Sequence, residues 1–138
     1  MIPVVQEHPS GCGLASVAVL AGVGYDVARG VAESLNIHAH DATLWSDTTY
    51  VRTLLASFGL RAAAGERPFT SWDALPDVCL LAIKWRRVAG RAFWHWVVFC
   101  RTGGVPVVLD SKKQLKNNVR RDFGRMKPMW YIPVHKSE

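Results

Sequence analysis

The chain has 138 residues, enough for one domain with a substantial core. Hydrophobic residues at 49% and charged residues at 20% describe an ordinary soluble globule, and the longest apolar run, residues 14–23 with Ser16 inside it, falls short of a membrane span. The formal charge of +6 is uneven, because Lys112, Lys113, Lys116, Arg120, Arg121, Arg125 and Lys127 crowd one segment with a single acid, Asp122.

Met1 is followed at once by Pro3 and Gln6, so no signal peptide is expected, and a cytoplasmic location follows. From Gln6 a short loop with Pro9, Ser10 and Gly11 delivers Cys12 to the first turn of a run that is apolar nearly all round. Such a helix belongs in the interior, with Ser10 as its cap and Gly22 or Gly24 as its stop. Residues 25–35 carry Val27, Val31, Ala32 and Leu35 at helical spacing, with Asp26 near the start. Residues 36–46 read as a loop containing His38, His40 and Asp41. Ser46 or Asp47 then caps a third helix whose buried stripe is Tyr50, Val51, Leu54, Leu55 and Phe58, ended by Gly59.

The second half reads as sheet. A short strand at 60–64 and a helical turn at 71–75 precede a strand at 78–85, and residues 86–91 form a polar turn. Residues 92–101 and 105–110 make the clearest hairpin, joined across Thr102-Gly103-Gly104. A last strand covers 129–134, where Pro133 implies an edge or a strand end. Helices first and antiparallel strands second give an α+β domain over 1–138, its helical half about 1–59 and its sheet half about 60–138.

The hairpin carries a chemical consequence. With Gly103-Gly104 as a two-residue turn, Thr102 pairs with Val105, and stepping back sets Val97 opposite Asp110. His95 and Asp110 then lie on one face as diagonal neighbours, within hydrogen-bond reach. A cysteine at a helix start sits where unpaired N–H groups and the positive dipole end favour an anion. Gln6, six residues upstream of Cys12, has a side-chain amide suited to a developing oxyanion. Together these are the parts for thiolate attack on a carbonyl: Cys12 attacks, His95 moves the proton, Asp110 holds the imidazole, and Gln6 with the Cys12 N–H stabilises the oxyanion.

The remaining candidates read as structure. Three cysteines, Cys12, Cys79 and Cys100, are too few and too scattered for a disulfide framework or a zinc site, and the last two sit in strand-like segments as buried thiols. No metal or cofactor is called for, and His38, His40 and Asp41 read as surface loop. His8 reads as a loop residue beside the nucleophile, and His135 as solvated. Of six tryptophans, Trp72, Trp85 and Trp130 are assigned to the core, Trp94 or Trp96 to a cleft wall beside His95, and Trp45 to either place. The basic segment 112–127 is a solvated loop or a site for an acidic partner; without aromatic interleaving or a motif, nucleic acid is not favoured.

The elements Gln6, Cys12-Gly13-x-Ala15, His95-Trp96-Val97-Val98 and Val107-Val108-Leu109-Asp110 resemble papain-like cysteine peptidases, closest to the branch that removes double-glycine leaders from bacteriocin precursors. Gly11 stands where that branch usually has an acid, and Ser111 where a proline commonly follows the aspartate. The resemblance implies a helical part bearing Cys12 packed on a sheet bearing His95 and Asp110, with a peptide substrate in the cleft between them. The same triad also serves transamidation, deamidation or acyl transfer, and a catalytically idle peptide-binding module is a further alternative.

Overall fold

The structure, a computed structural model, describes residues 1–137. Three helices come first, α1 (Cys12–Ala21), α2 (Tyr25–Ser34) and α3 (Thr49–Ser57), with a 3-10 turn at Ala42–Ser46 before the third. Strands follow: β1 (Leu60–Ala62), β2 (Arg67–Pro68), β3 (Val78–Val88), β4 (Arg91–Thr102), β5 (Val105–Leu109), β6 (Val119–Arg120) and β7 (Pro128–Lys136). All pairings are antiparallel, in the order β1-β7-β3-β4-β5-β6, with β2 also on β7. Helices followed by an antiparallel sheet make the α+β architecture that the sequence pattern implies.

Residues 12–19 of α1 are all buried, as a helix without a polar face requires. Gly22 stops it in the left-handed conformation at φ 71°, its N–H turned back to the Ala18 and Val19 carbonyls. Ser10 is not its cap. Gly11 holds that position without a side-chain bond, and the Ser10 hydroxyl donates to the Ala39 carbonyl, tying the loop before α1 to the segment after α2. For α3 the capping group is Asp47, whose Oδ1 accepts the Thr49 N–H at 2.7 Å. Among the described residues no single helix is long and apolar enough to cross a membrane; α1 and α2 qualify only as a pair, bent by 110° at their junction.

The sheet divides the core. Leu80, Ala82, Trp96, Val98 and Ile132 face the helices and meet Leu14, Val17, Tyr50, Val51 and Leu54. Leu81, Ile83, Val97, Phe99 and Val108 face the other way, under Leu75 and Met126, with Trp72 and Phe123 at the margin. Cys79 and Cys100 are both buried, and burial pushes both thiols up, Cys79 to about 12.

Two strand expectations need correcting. Residues 86–91 are not a polar turn: β3 and β4 run through them, Val88 pairs with Arg91, and only Ala89-Gly90 turns, both at positive φ. Arg86 and Arg87 are exposed along this part of the hairpin. Pro133 is not on an edge, since β7 lies between β1 and β3. In a strand, a residue's N–H and C=O point to the same side. The Pro133 carbonyl accepts from Ala63 just past the end of β1, so its missing N–H falls where pairing lapses.

Candidate active site

The β4–β5 hairpin turns over Gly103-Gly104, with φ of 58° and 79°. Thr102 faces Val105 and Val98 faces Leu109, so the register carried one step further sets Val97 against Asp110. His95, two residues before Val97, therefore reaches the aspartate diagonally: His95 Nε2 lies 2.7 Å from Asp110 Oδ1. The carboxylate is 0% exposed.

Cys12 joins them from the sheet edge. Strand β5 ends at Leu109, one step before the residues that would have covered β4 further along. Ser111, which would have faced Trp96, gives its carbonyl to the Gln6 N–H instead, at 2.9 Å. The Trp96 N–H is thus left without a strand partner and points at Cys12 Sγ, 3.5 Å away. A backbone N–H lies in the plane of its sheet, so the sulfur that accepts it sits at the edge rather than over either face. That placement lets an imidazole from the face opposite the helices meet a cysteine from the helical side. With Nε2 on Asp110, the other ring nitrogen, Nδ1, is the one left for the sulfur.

Burial alone would lower the His95 pKa, but the hydrogen bonds to Asp110 and Cys12 and their charges outweigh it, raising it to about 9. Burial alone would raise Asp110; the His95 bond and charge, the Lys112 N–H and Arg120 bring it down to about 2. The signs give a stability window. The His95 contribution is complete below its ordinary 6.5 and is lost as pH rises through about 9. The Asp110 contribution is complete above its ordinary 3.8 and is lost as pH falls through about 2. Both hold between these ordinary values. In thermal melts against pH, the wild type is expected to lose Tm between pH 6.5 and about 9, and His95→Gln to lose little there. Parallel curves would mean that the imidazole is not held charged.

Asp110 has a second set of partners that sequence reasoning missed. Its Oδ1 accepts the Lys112 N–H at 3.0 Å, and its Oδ2 accepts from Arg120 at 2.9 Å. Arg120 is itself forked onto Asp122, through Nε at 2.9 Å and a terminal nitrogen at 2.7 Å. Asn118 ties the loop shut by donating to the Asp110 and Lys112 carbonyls, at 2.7 and 3.0 Å. Part of the basic segment is therefore internal structure; the one acid within it, Asp122, is the available signal.

Gln6 stands on the rim of the same site. Its side-chain nitrogen donates to the His8 carbonyl at 2.9 Å and the Pro9 carbonyl at 3.1 Å, while its oxygen accepts from the buried Ser111 hydroxyl at 2.7 Å. Both amide hydrogens are thus engaged by the loop that leads to Cys12.

Two glycines flank the cysteine because two tyrosines press on it. A Cβ on Gly11 would lie 2.3 Å from the Tyr25 hydroxyl, and one on Gly13 1.9 Å from the Tyr50 hydroxyl. Tyr25 also meets His8 Nδ1 at 2.9 Å, which brings His8 to the cleft. Gly11→Ala is expected to cost about 1–3 kcal/mol by overpacking. Adding Tyr25→Phe should restore most of it, since the nearest remaining atoms lie at 3.1 and 3.2 Å. Thermal melts of the three variants decide it: a double variant that melts below Gly11→Ala would clear the hydroxyl of blame.

A cleft of about 390 Å³ opens over His95, walled by Trp45 and Trp94. Trp45 is fixed by its indole N–H on the Pro9 carbonyl at 3.1 Å. Trp94 packs edge-on against Trp96 and Trp130, and Trp96 is fully buried. Cys12 is 1% exposed, and the cleft is lined by His95 rather than by the cysteine itself. His38 bonds Asn36 and Asp41 caps the 3-10 turn through Thr43; among the described residues no three His, Cys, Asp or Glu side chains gather as metal ligands. No family model matches this chain, and no curated protein matches its sequence.

Proposed function

We propose that the chain is a papain-like cysteine peptidase that hydrolyses a peptide bond, leader peptides being one substrate class the resemblance suggests. The observation that carries this reading is the His95 imidazole held on the Asp110 carboxylate while Cys12 Sγ accepts the N–H of the next residue, Trp96, at a sheet edge beside an open cleft. The Cys12 thiolate attacks the carbonyl carbon, and the negative charge that builds on the oxygen meets the Cys12 N–H at the start of α1. Gln6 joins it by giving up the longer of its two loop bonds, to Pro9. His95 hands its proton to the leaving amine as the C–N bond breaks. It then takes a proton from the water that releases the acyl group, and Asp110 keeps the ring turned throughout. Gly11, where the leader-removing branch usually has an acid, is required here by the Tyr25 hydroxyl.

The test is incubation of an intact peptide library with the wild type and with Cys12→Ala, read by mass spectrometry. Pairs of fragments that together weigh the parent plus one water, absent with Cys12→Ala, are the expected result. Iodoacetamide is expected to label Cys12 ahead of Cys79 and Cys100. An uncut library together with a Cys12 that labels no faster than the other two would end the peptidase reading, and products heavier by an amine in place of water would redirect it to acyl transfer.

A further inference from the structure

The cleft over His95 is strongly basic. Lys84, Arg86, Lys112 and Lys113 line it, against one acid, Glu7. Among the described residues, none of these four cations is in an ion pair with a carboxylate. This distinguishes them from Arg120 nearby, which is held between Asp110 and Asp122. They come from two separate elements, β3 and the loop after β5, so neither a single charged run in the sequence nor one solvated helix face explains their convergence.

Lys84 reaches the cleft by an irregularity. The β3–β4 register slips between Ile83 and Arg86, and Lys84 sits in the bulge at φ 54°, a left-handed conformation that costs a side chain about 1 kcal/mol or more. The bulge breaks the alternation of β3 next to Ile83, which pairs with His95. Burial first and then the Lys112 ammonium hold the Lys84 pKa below its ordinary value, Asp110 only partly offsetting them. Two exposed ammonium groups, one from β3 and one from the loop after β5, thus line the same cleft as His95.

We propose that this cleft binds a peptide through a carboxylate, placed between Lys84 and Lys112 on the side of the cleft that His95 lines. A carboxylate there relieves the repulsion between the two lysines and accepts hydrogen bonds from both. Arg86, its guanidinium 5.7 Å from the Phe93 ring centre, and Lys113 supply the attracting field around it. The substrate class is then an acidic peptide, or a peptide ending at this position with a free carboxyl group. This rests on the peptidase reading for the word substrate, but the binding it requires is measurable without turnover.

The experiment uses the full chain carrying Cys12→Ala and three fluorescent peptide pools, alike except at two points. One has a central Glu and an amidated end, one a central Gln and an amidated end, and one a central Gln and a free carboxyl end. At low salt the Glu pool, the free-ended pool or both are expected to bind about tenfold tighter than the amidated Gln pool. Which of them does so identifies the source of the carboxylate. The preference should collapse in Lys84→Met/Lys112→Met and persist in Arg121→Gln, an exposed cation outside the cleft. Equal binding of all three pools, or a preference that survives the double lysine change, overturns the proposal. Turnover of the same pools by the wild type separates the two readings: a carboxylate pool bound yet never cut leaves the carboxylate site standing and removes the peptidase, whereas cutting without preference does the reverse.

Discussion

Asp110→Asn is expected to cut turnover by about 10²–10⁴-fold, and a second change, Arg120→Met, to recover part of it. An asparagine can still offer its oxygen to His95 Nε2 and the Lys112 N–H, as Asp110 Oδ1 does now. Its NH₂ then occupies the place of Oδ2 and faces the Arg120 guanidinium, donor against donor in a buried site. Flipping the amide relieves Arg120 and sets the NH₂ against the imidazole instead. Either orientation misplaces one partner, so the variant suffers from the arginine behind the aspartate as much as from the lost charge. Arg120→Met removes the conflict and lets the amide settle with its oxygen on His95. Alone, that change costs about 1.5–3 kcal/mol of stability, as loss of a hydrogen bond to a buried charge. The measurements are kcat for peptides that the library identifies, and the His95 pKa by NMR titration, expected to fall from about 9 in Asp110→Asn. A double variant slower than Asp110→Asn alone would show that Arg120 supports the site in some way other than by facing Oδ2.

What made His95 and Asp110 predictable was parity. A two-residue glycine turn fixes the register of its hairpin, and register fixes which side chains share a face, so two residues fifteen apart could be joined on paper. Cys12 at the start of a buried helix was equally legible, because an all-apolar run with a glycine stop has few other places to go. Local rules failed where tertiary contacts overrode them. Ser10 has the chemistry of a cap, but Ala39 offers its hydroxyl a buried acceptor, and the Gly11–Tyr25 packing dictates the entry into α1. Arg120 lies on a strand of only two residues, too short to carry any alternation, so its role as partner of Asp110 left no pattern. The left-handed Lys84 was invisible for a related reason: glycine announces such a conformation in a sequence, and lysine does not. Gln6 was placed at the site by its distance from Cys12, but spacing does not reveal that loop carbonyls engage both of its amide hydrogens.

Gly13→Ala reverses the usual rule for helices, where alanine is better than glycine by about 1 kcal/mol. Here the new methyl would lie 1.9 Å from the Tyr50 hydroxyl and 2.6 and 2.8 Å from two ring carbons. Tyr50 is buried under Trp96, and burial pushes its hydroxyl pKa well up, so the ring has neither space nor solvent into which to swing. Overpacking of this kind costs about 3 kcal/mol, a fall in Tm on the order of 10 °C for a chain of this size. Because Gly13 follows Cys12 in the first turn of α1, relief by moving the helix carries the sulfur away from the Trp96 N–H and the imidazole. Turnover and Cys12 alkylation should therefore fall even below the melting transition. Tyr50→Phe in the same background removes the 1.9 Å contact but leaves the ring carbons, so it should recover only part of the loss, in contrast to the nearly complete repair expected of Tyr25→Phe behind Gly11→Ala. Equal repair at both positions would mean that the rings yield and only the hydroxyls obstruct, and the second glycine would then be a matter of one oxygen atom rather than of how closely α1 must approach α3.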